Sequence, residues 1–156
     1  MDFTKFDSVA ASEQGADYHL KCAATGKPLF DNDKDPYADN GKPCLITVKG
    51  QEAASVREQS RMRQKAKAQE KPSTGDGEDD FVTFDDLHNE AVKIIIPQII
   101  GFKNIRKGKK EIGLEDAEWL LNLNRLNAHP NEEAFVKQLS DFSASRAGYL
   151  GNASTA

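Results

Sequence analysis

Two stretches of the N-terminal half alternate between apolar and polar residues. The alternating apolar positions are Tyr18, Leu20 and Cys22 in the first stretch and Cys44, Ile46 and Val48 in the second. A period of two is typical of a half-buried β-strand. Because the turn-forming sequence Thr-Gly-Lys-Pro and a polar loop over 31–41 lie between the stretches, we predict a β-hairpin or part of a small sheet.

A charged helix is predicted after these strands. Residues 51–70 include good helix formers and no Gly or Pro, but their apolar face is thin, with Ala53, Val56, Met62 and Ala66. A helix of this kind packs lightly or binds a partner. The sequence Pro-Ser-Thr-Gly-Asp-Gly that follows is typical of a flexible linker, so we place a domain boundary at 72–80.

Helical spacing of apolar residues dominates the C-terminal half. Thr83 and Asp86 are placed as a capping box at the start of a helix that Pro97 should kink or end. The predicted apolar face of this helix consists of Leu87, Ala91, Ile94 and Ile95. A second helix near Leu114 is expected to bury Trp119, Leu120, Leu123 and Leu126. A last helix over about 131–149 has on one face Phe135, Leu139, Phe142, Arg146 and Tyr149.

These elements predict an α+β fold that is mainly helical, with a small N-terminal β-hairpin or sheet. The predicted organisation is a flexible arm over 1–15 and a hairpin with a charged helix over 16–71. A linker over 72–80 and a helical C-terminal subdomain over 81–150 follow, with a disordered tail over 151–156.

Charge is distributed in two opposite blocks, although the net charge of the 156 residues is only -4. Residues 51–71 carry six basic and three acidic side chains, whereas 76–90 carry seven acidic and no basic ones. Within the basic block, Arg57, Arg61 and Lys65 recur at i, i+4 and i+8 and form a stripe that we predict to bind a partner. We expect a solvated face, or one that meets an acidic protein partner, rather than a nucleic-acid site, because no aromatic residue interleaves the stripe and the acidic block follows directly.

Residues that would support catalysis or metal binding do not form a recognisable motif. The three histidines, His19, His88 and His129, lie in different predicted elements without zinc spacing, and we expect His88 to be solvated. Residues 31–35 begin like a calcium loop, but Pro36 and Lys42 stand where that loop needs Gly and Glu, so a polar hairpin loop is the better interpretation. We therefore predict a non-enzymatic protein with no catalytic site, metal or cofactor.

The cysteines and the first residues of the chain indicate the cellular compartment in which the protein is expected. Cys22 and Cys44 show no metal spacing, and we expect reduced thiols that pack within the strands. No apolar run approaches the roughly 20 residues of a membrane span, and no signal peptide is visible at the first residues. A cytoplasmic protein without a membrane partner is expected.

The C-terminal half contains an ordered series of short patterns. The series is Ile99 to Ile105, a Gly/Lys turn, Gly113 to Leu121, Phe135 to Leu139, Asp141-Phe142 and Arg146 to Leu150. It resembles the C-terminal half of tail assembly chaperones of long-tailed bacteriophages, and its pattern residues are Gly101, Phe102, Trp119, Phe135, Phe142 and Tyr149. The N-terminal half is similar in layout, so the resemblance covers about residues 16–150.

The resemblance implies a chaperone that binds the tape measure protein, keeps it soluble and recruits major tail tube protein subunits. Such chaperones act in the host cytoplasm and are not part of the mature virion. They are commonly made in two forms by programmed ribosomal frameshifting, and Leu150, Gly151 and Asn152 can be encoded by CTG GGA AAC, which contains the slippery heptamer G GGA AAC. The longer frameshifted form and further copies of the chain are then expected partners.

Two alternatives remain open. The chain could be another phage tail or head–tail connector component, which gene order would distinguish. It could also be a small nucleic-acid-binding regulator that uses the helix over 51–71, and salt-dependent DNA binding would distinguish that.

Overall fold

The computed structural model describes residues 1–69, 82–129 and 132–150. The helices are α1 (Ser8–Gln14), α2 (Ala54–Gln69), α3 (Phe84–Ile95), α4 (Ala117–Leu121), α5 (Phe135–Ser143) and α6 (Arg146–Leu150). Short 3-10 helices cover Phe3–Phe6, Ile96–Gln98 and Leu114–Asp116. The strands are β1 (Ala16–His19), β2 (Phe30–Asp31), β3 (Lys42–Pro43), β4 (Leu45–Val48), β5 (Ile99–Lys103), β6 (Arg106–Lys107) and β7 (Lys110–Glu111).

A three-stranded antiparallel sheet organises the fold, in the order β1-β4-β5. Tyr18, Ile46 and Phe102 lie side by side across the three strands, on the face that packs into the core. Because side chains alternate along a strand, Asp17, Thr47 and Gly101 share the opposite face. The central strand therefore joins a partner from each half of the chain.

One hydrophobic core lies beneath this sheet. Ile46 and Val48 of β4 are 0% exposed, as are Leu121 of α4 and Leu139 of α5. Helices α3 and α5 contact each other across the core. Residues from both sides of the predicted boundary at 72–80 belong to the same cluster of buried side chains, so the two halves share a sheet and a core.

The prediction of a mainly helical fold is wrong. Over the described residues the structure is mixed, at 47% helix and 17% strand, and their strands form three small sheets. The predicted hairpin is only partly matched: β1 and β4 do pair, but β2 and β3 form a separate small sheet and the third strand comes from 99–103. The helical pattern of the C-terminal half concealed β5, whose apolar, β-branched and aromatic residues fit a pleated sheet once Pro97 has ended α3.

Several predicted boundaries fall outside the described residues, namely the linker over 72–80 and the tail over 151–156. The segment predicted as a flexible arm, 1–15, contains a 3-10 helix and α1. Asp7 caps α1 by accepting a hydrogen bond from the Ala10 amide at 2.9 Å. Ser12 is only 2% exposed, because its carbonyl accepts from Gly50 N and α1 packs on α6.

The start and end of α3 are as predicted, but its buried face is so only in part: Ile95 is buried and Ala91 packs against the core, as predicted. Thr83 and Asp86 form the capping box, and the helix ends at Ile95, just before Pro97. Leu87 is 48% exposed, whereas His88 is fully buried. The helix is thus rotated relative to the face that apolar spacing predicts, and the expectation of a solvated His88 is wrong.

The helix predicted over about 131–149 is interrupted. Helix α5 ends at Ser143 and α6 begins at Arg146. The Ser143 hydroxyl donates to the Ser140 carbonyl at 2.9 Å, and the Ser145 hydroxyl accepts from the Gly148 amide at 3.3 Å. Serine side chains that bond to nearby backbone groups compete with helical hydrogen bonds, which explains the break.

Candidate partner-binding surface

Helix α2 presents more surface than its packing uses. It has 16 residues, and of these, all within the described part of the chain, Val56 is the buried one. At about 100° per residue, Arg57, Arg61 and Lys65 lie within one quarter of the helix circumference, and all three are exposed. We call this set the α2 stripe. The stripe exists as predicted in geometry, and whether it binds a partner stays a prediction.

The three members of the α2 stripe differ in their local partners. Arg61 makes an ion pair with Glu58 at 2.7 Å, and both side chains are mostly exposed. A hydrogen bond from Arg61 lowers the pKa of the Glu58 carboxyl. Arg57 donates through Nε to the Glu52 carbonyl at 3.2 Å, which leaves its charge without a carboxylate within ion-pair distance among the described residues. The positive charge of the stripe is therefore partly compensated at its centre.

A second polar surface lies on the side of α2 that faces α3. A notch of about 260 Å³ opens there between α2 and the end of α3. Arg57, Ser60 and Arg63 line it from α2, and Ile94 and Gln98 line it from the other side. We call it the α2–α3 notch. Further along, Lys67 pairs with Glu90 of α3 at 3.2 Å, so the two helices are also linked by charge.

Four of the six pattern residues of the resemblance lie in or beside the core. Phe135 is buried, and Phe102, Trp119 and Phe142 pack against the core while partly exposed. The Lys107 ammonium lies 4.9 Å from the centre of the Trp119 ring. A side chain built at Gly101 would meet open space, so packing does not require glycine there. These positions build the fold and do not converge on a site.

Tyr149 fastens α6 to the central sheet. Its hydroxyl donates to the Val48 carbonyl at 3.0 Å, and burial raises its pKa. Its ring lies 5.2 Å from that of Phe142, which in turn lies 5.1 Å from Tyr18. Arg146 of the same helix pairs with Glu52 at 2.9 Å. Of the predicted frameshift region, only Leu150 is described, as the last residue of α6.

Gln138 holds the end of β1 against α5, and sequence patterns did not single it out. It is 3% exposed, and its side-chain oxygen accepts from Lys21 N and from the Tyr18 hydroxyl, each at 3.0 Å. Its amide nitrogen donates to the carbonyls of Lys21 at 2.9 Å and Glu133 at 2.8 Å. The sequence offered one indication of this role, because Gln138 is a polar residue that lies between the apolar Val136 and Leu139.

His88 also has a structural role that its pattern did not predict. Its Nδ1 accepts from Leu126 N at 3.3 Å, which leaves Nε2 to donate to Asn122 Oδ1 at 2.8 Å. A backbone amide can only donate, so these two bonds select the neutral tautomer protonated at Nε2. His88 therefore links α3 to the segment that follows α4, and each of its buried ring nitrogens has a hydrogen-bond partner.

The loop that begins like a calcium site is a hairpin loop, as interpreted. Strands β2 and β3 pair antiparallel on its two sides. Arg106 Nη2 contacts Asp31 Oδ1 at 2.5 Å and Asp33 Oδ1 at 2.8 Å, so two of the acidic side chains are used in ion pairs. Within the described ranges, no group of three or more His, Cys, Asp or Glu residues is placed to hold a metal ion.

The α4 region and the cysteines differ in part from expectation. Leu120 is buried and Trp119 and Leu126 are partly buried, but Leu123 is 53% exposed because α4 has already ended at Leu121. Both cysteines are free thiols. Cys44 packs against the core, whereas Cys22 lies beyond the end of β1.

Neither a model of a protein family, nor a curated protein, nor a solved structure matches this chain. None of the helices in the described part of the chain is long and apolar enough to cross a membrane.

Proposed function

We propose that this protein is a tail assembly chaperone of a long-tailed bacteriophage, which binds and solubilises the tape measure protein and recruits tail tube subunits. The observation that carries the proposal is α2, a helix of 16 residues with one buried side chain. A lone, lightly packed helix costs stability unless its free surface is used. The ordered pattern of the C-terminal half supplies the particular identity through its resemblance to this family.

A chaperone of this kind acts through a binding surface and needs no catalytic site or cofactor. The α2 stripe suits a client helix with acidic side chains, because helices recognise one another through residues spaced three and four apart. Weak contacts of one chain become effective when several copies bind along a long client. We therefore propose a non-enzymatic role in the host cytoplasm, as an oligomer that is not retained in the virion.

The proposal includes a second, longer form of the chain. Helix α6 ends at Leu150, where a slip within the codons for Leu150, Gly151 and Asn152 would change the reading frame. The gene sequence tests this directly, because a codon choice that lacks the heptamer G GGA AAC removes the proposed site.

Co-expression tests the chaperone role. The very long, coiled-coil-like protein encoded beside this chain is produced with and without it, and the soluble fraction of that client is measured. We expect the client to be recovered in the soluble fraction only when the chaperone is present. A triple variant Arg57→Glu, Arg61→Glu, Lys65→Glu should lose most of this effect, because it reverses the charge of the α2 stripe.

A matched control distinguishes the stripe from net charge. The triple variant Lys34→Glu, Lys109→Glu, Lys110→Glu makes the same total charge change at exposed positions away from α2. It should keep the client soluble. If the client is equally insoluble with and without the wild-type chain, the proposal is wrong.

Nucleic-acid binding is the second candidate, and the exposed basic α2 stripe is the observation that favours it. Binding to a DNA duplex should then weaken steeply as salt rises, since each neutralised phosphate releases counterions. A lack of DNA binding at physiological ionic strength removes this candidate. A head–tail connector role is tested by gene order, because a chaperone gene should lie between those of the tail tube and the tape measure protein.

A further inference from the structure

We propose that the α2–α3 notch binds a carboxylate side chain of an acidic helical partner, with Arg63 as the main recognition residue. This inference rests on the proposed function, because it names the group on a client that α2 recognises. The notch shares Arg57 with the α2 stripe but adds Ser60 and Arg63, which are not part of the stripe. The stripe was predicted from spacing, whereas the notch is visible only in the fold.

Arg63 occupies a different face of α2 from the stripe. At about 100° per residue it lies roughly 160° around the helix from Arg61, next to the direction of Val56. Val56 is 5% exposed and packs towards the body of the protein. Arg63 as a whole is therefore partly buried, in contrast to the exposed Arg61.

The charge of Arg63 has no counterion within the described ranges. Among those residues it makes no ion pair and no hydrogen bond, while Arg61 has Glu58 and Lys67 has Glu90. A carboxylate can satisfy a guanidinium that has no acceptor through two parallel hydrogen bonds. Arg63 is thus a basic side chain of α2 that is placed in a concave site and left for a ligand.

The surroundings of Arg63 favour an anion. Arg57 lines the same notch, and none of the described side chains that line it is acidic. The Ser60 hydroxyl lies one helical turn from Arg63 on the same wall and is likewise unpaired among the described residues. Two guanidinium groups and a hydroxyl supply donors, whereas Gln98 contributes a buried amide oxygen that accepts no hydrogen bond among the described residues. Val56 and Ile94 add apolar surface, which strengthens charged hydrogen bonds by excluding water.

The size of the notch selects a side chain rather than a large ligand. A volume of about 260 Å³ is below the range of roughly 300–1,000 Å³ that is typical of small-molecule pockets. A glutamate or aspartate side chain can enter it while the helix that carries it stays outside. A run of such residues at i and i+4 on a client would place one carboxylate in the notch and the next near the α2 stripe.

Binding of an acidic peptide to the full-length protein tests the inference. The probe is a synthetic alanine-rich helical peptide with glutamates at i, i+4 and i+8, titrated at low salt and followed by amide chemical shifts. We expect saturable binding with shifts centred on Ser60 and Arg63. Arg63→Gln should weaken the affinity about tenfold, since it removes a charge-assisted pair of hydrogen bonds.

The matched control is Lys109→Gln, which removes one positive charge at an exposed position away from α2. It should weaken binding no more than about twofold, the change expected from a screened surface charge. Equal losses for Arg63→Gln and Lys109→Gln would overturn the inference, as would the absence of binding. Saturation by inorganic phosphate with no effect of the glutamate peptide would also overturn it.

Failure of the inference and failure of the chaperone role are separable. If Arg63→Gln abolishes peptide binding but the co-expressed client stays insoluble with wild type, the notch is a carboxylate site and the chaperone proposal is wrong. If the client is solubilised equally by wild type and Arg63→Gln, the chaperone acts through another surface and the inference is overturned.

Discussion

Replacing Gln138 with leucine should destabilise the protein strongly without changing its fold. Leucine keeps the approximate volume and the helical preference of glutamine, so the change mainly removes hydrogen bonds. Four bonds of 2.8–3.0 Å are lost at one side chain that is 3% exposed. The groups left without a partner are the amide and carbonyl of Lys21, the carbonyl of Glu133 and the hydroxyl of Tyr18.

The magnitude follows from how well water can reach these groups. A fully buried polar group without a partner costs about 1–3 kcal/mol. Lys21 is an exposed residue, so water can replace part of the loss at its backbone, while the hydroxyl of Tyr18 is half-buried and its pKa is raised to about 12 by burial. Added apolar burial by leucine offsets about 1 kcal/mol. We expect a net loss of about 3 kcal/mol in the free energy of unfolding.

Urea denaturation measures this loss. With a slope of about 2 kcal/mol per molar urea, the unfolding midpoint should fall by about 1.5 M while the slope stays constant. A double-mutant cycle isolates one bond: Tyr18→Phe should cost about 1 kcal/mol in the wild type and almost nothing in Gln138→Leu. A midpoint that moves by less than about 0.3 M, or an unchanged cost of Tyr18→Phe in both backgrounds, refutes the reasoning.

Two further predictions concern groups whose environment was not foreseen from the pattern of residues. His88→Leu should lower the melting temperature by about 6 °C in calorimetry, because it leaves buried donors and acceptors unpaired at a cost of about 2 kcal/mol; an unchanged melting temperature contradicts the assigned hydrogen bonds. Cys22 should react with iodoacetamide with a midpoint near pH 7, because the hydroxyl of Tyr37 hydrogen-bonds its sulfur and lowers the pKa to about 7. Cys44 should stay unreactive at that pH, because burial raises its pKa to about 11. The variant Tyr37→Phe should move the Cys22 midpoint to higher pH, and equal labelling of both cysteines at pH 7 would contradict the assignment.

Local chemistry predicted the ends of elements well. The capping box at Thr83 and the stop at Pro97 depend on side chains and backbone groups a few residues apart, and the structure contains both. The pairing of the two N-terminal strands also followed from alternation, with Tyr18 opposite Ile46. These features need no knowledge of the rest of the chain.

Features that depend on distant partners were not predictable in the same way. Strand β5 pairs with β4 across more than fifty residues, and its apolar run fits a helix end or a strand equally well until a neighbour is present. The burial of His88 depends on Asn122, which lies 34 residues away. Likewise, the α2 stripe was visible from spacing, but the unpaired charge of Arg63 depends on how α2 lies against α3.

The strand order β1-β4-β5 also affects how the chain is made. Strand β4 leaves the ribosome about 55 residues before β5 is complete. At a translation rate of roughly 5–20 residues per second, several seconds pass in which β1 and β4 can pair with each other but β5 has not yet been made. A two-stranded hairpin is marginally stable at best in water, so Ile46 and Val48 have no lasting cover in that interval. A protein proposed to shield another chain during assembly would therefore itself depend on completing synthesis without delay.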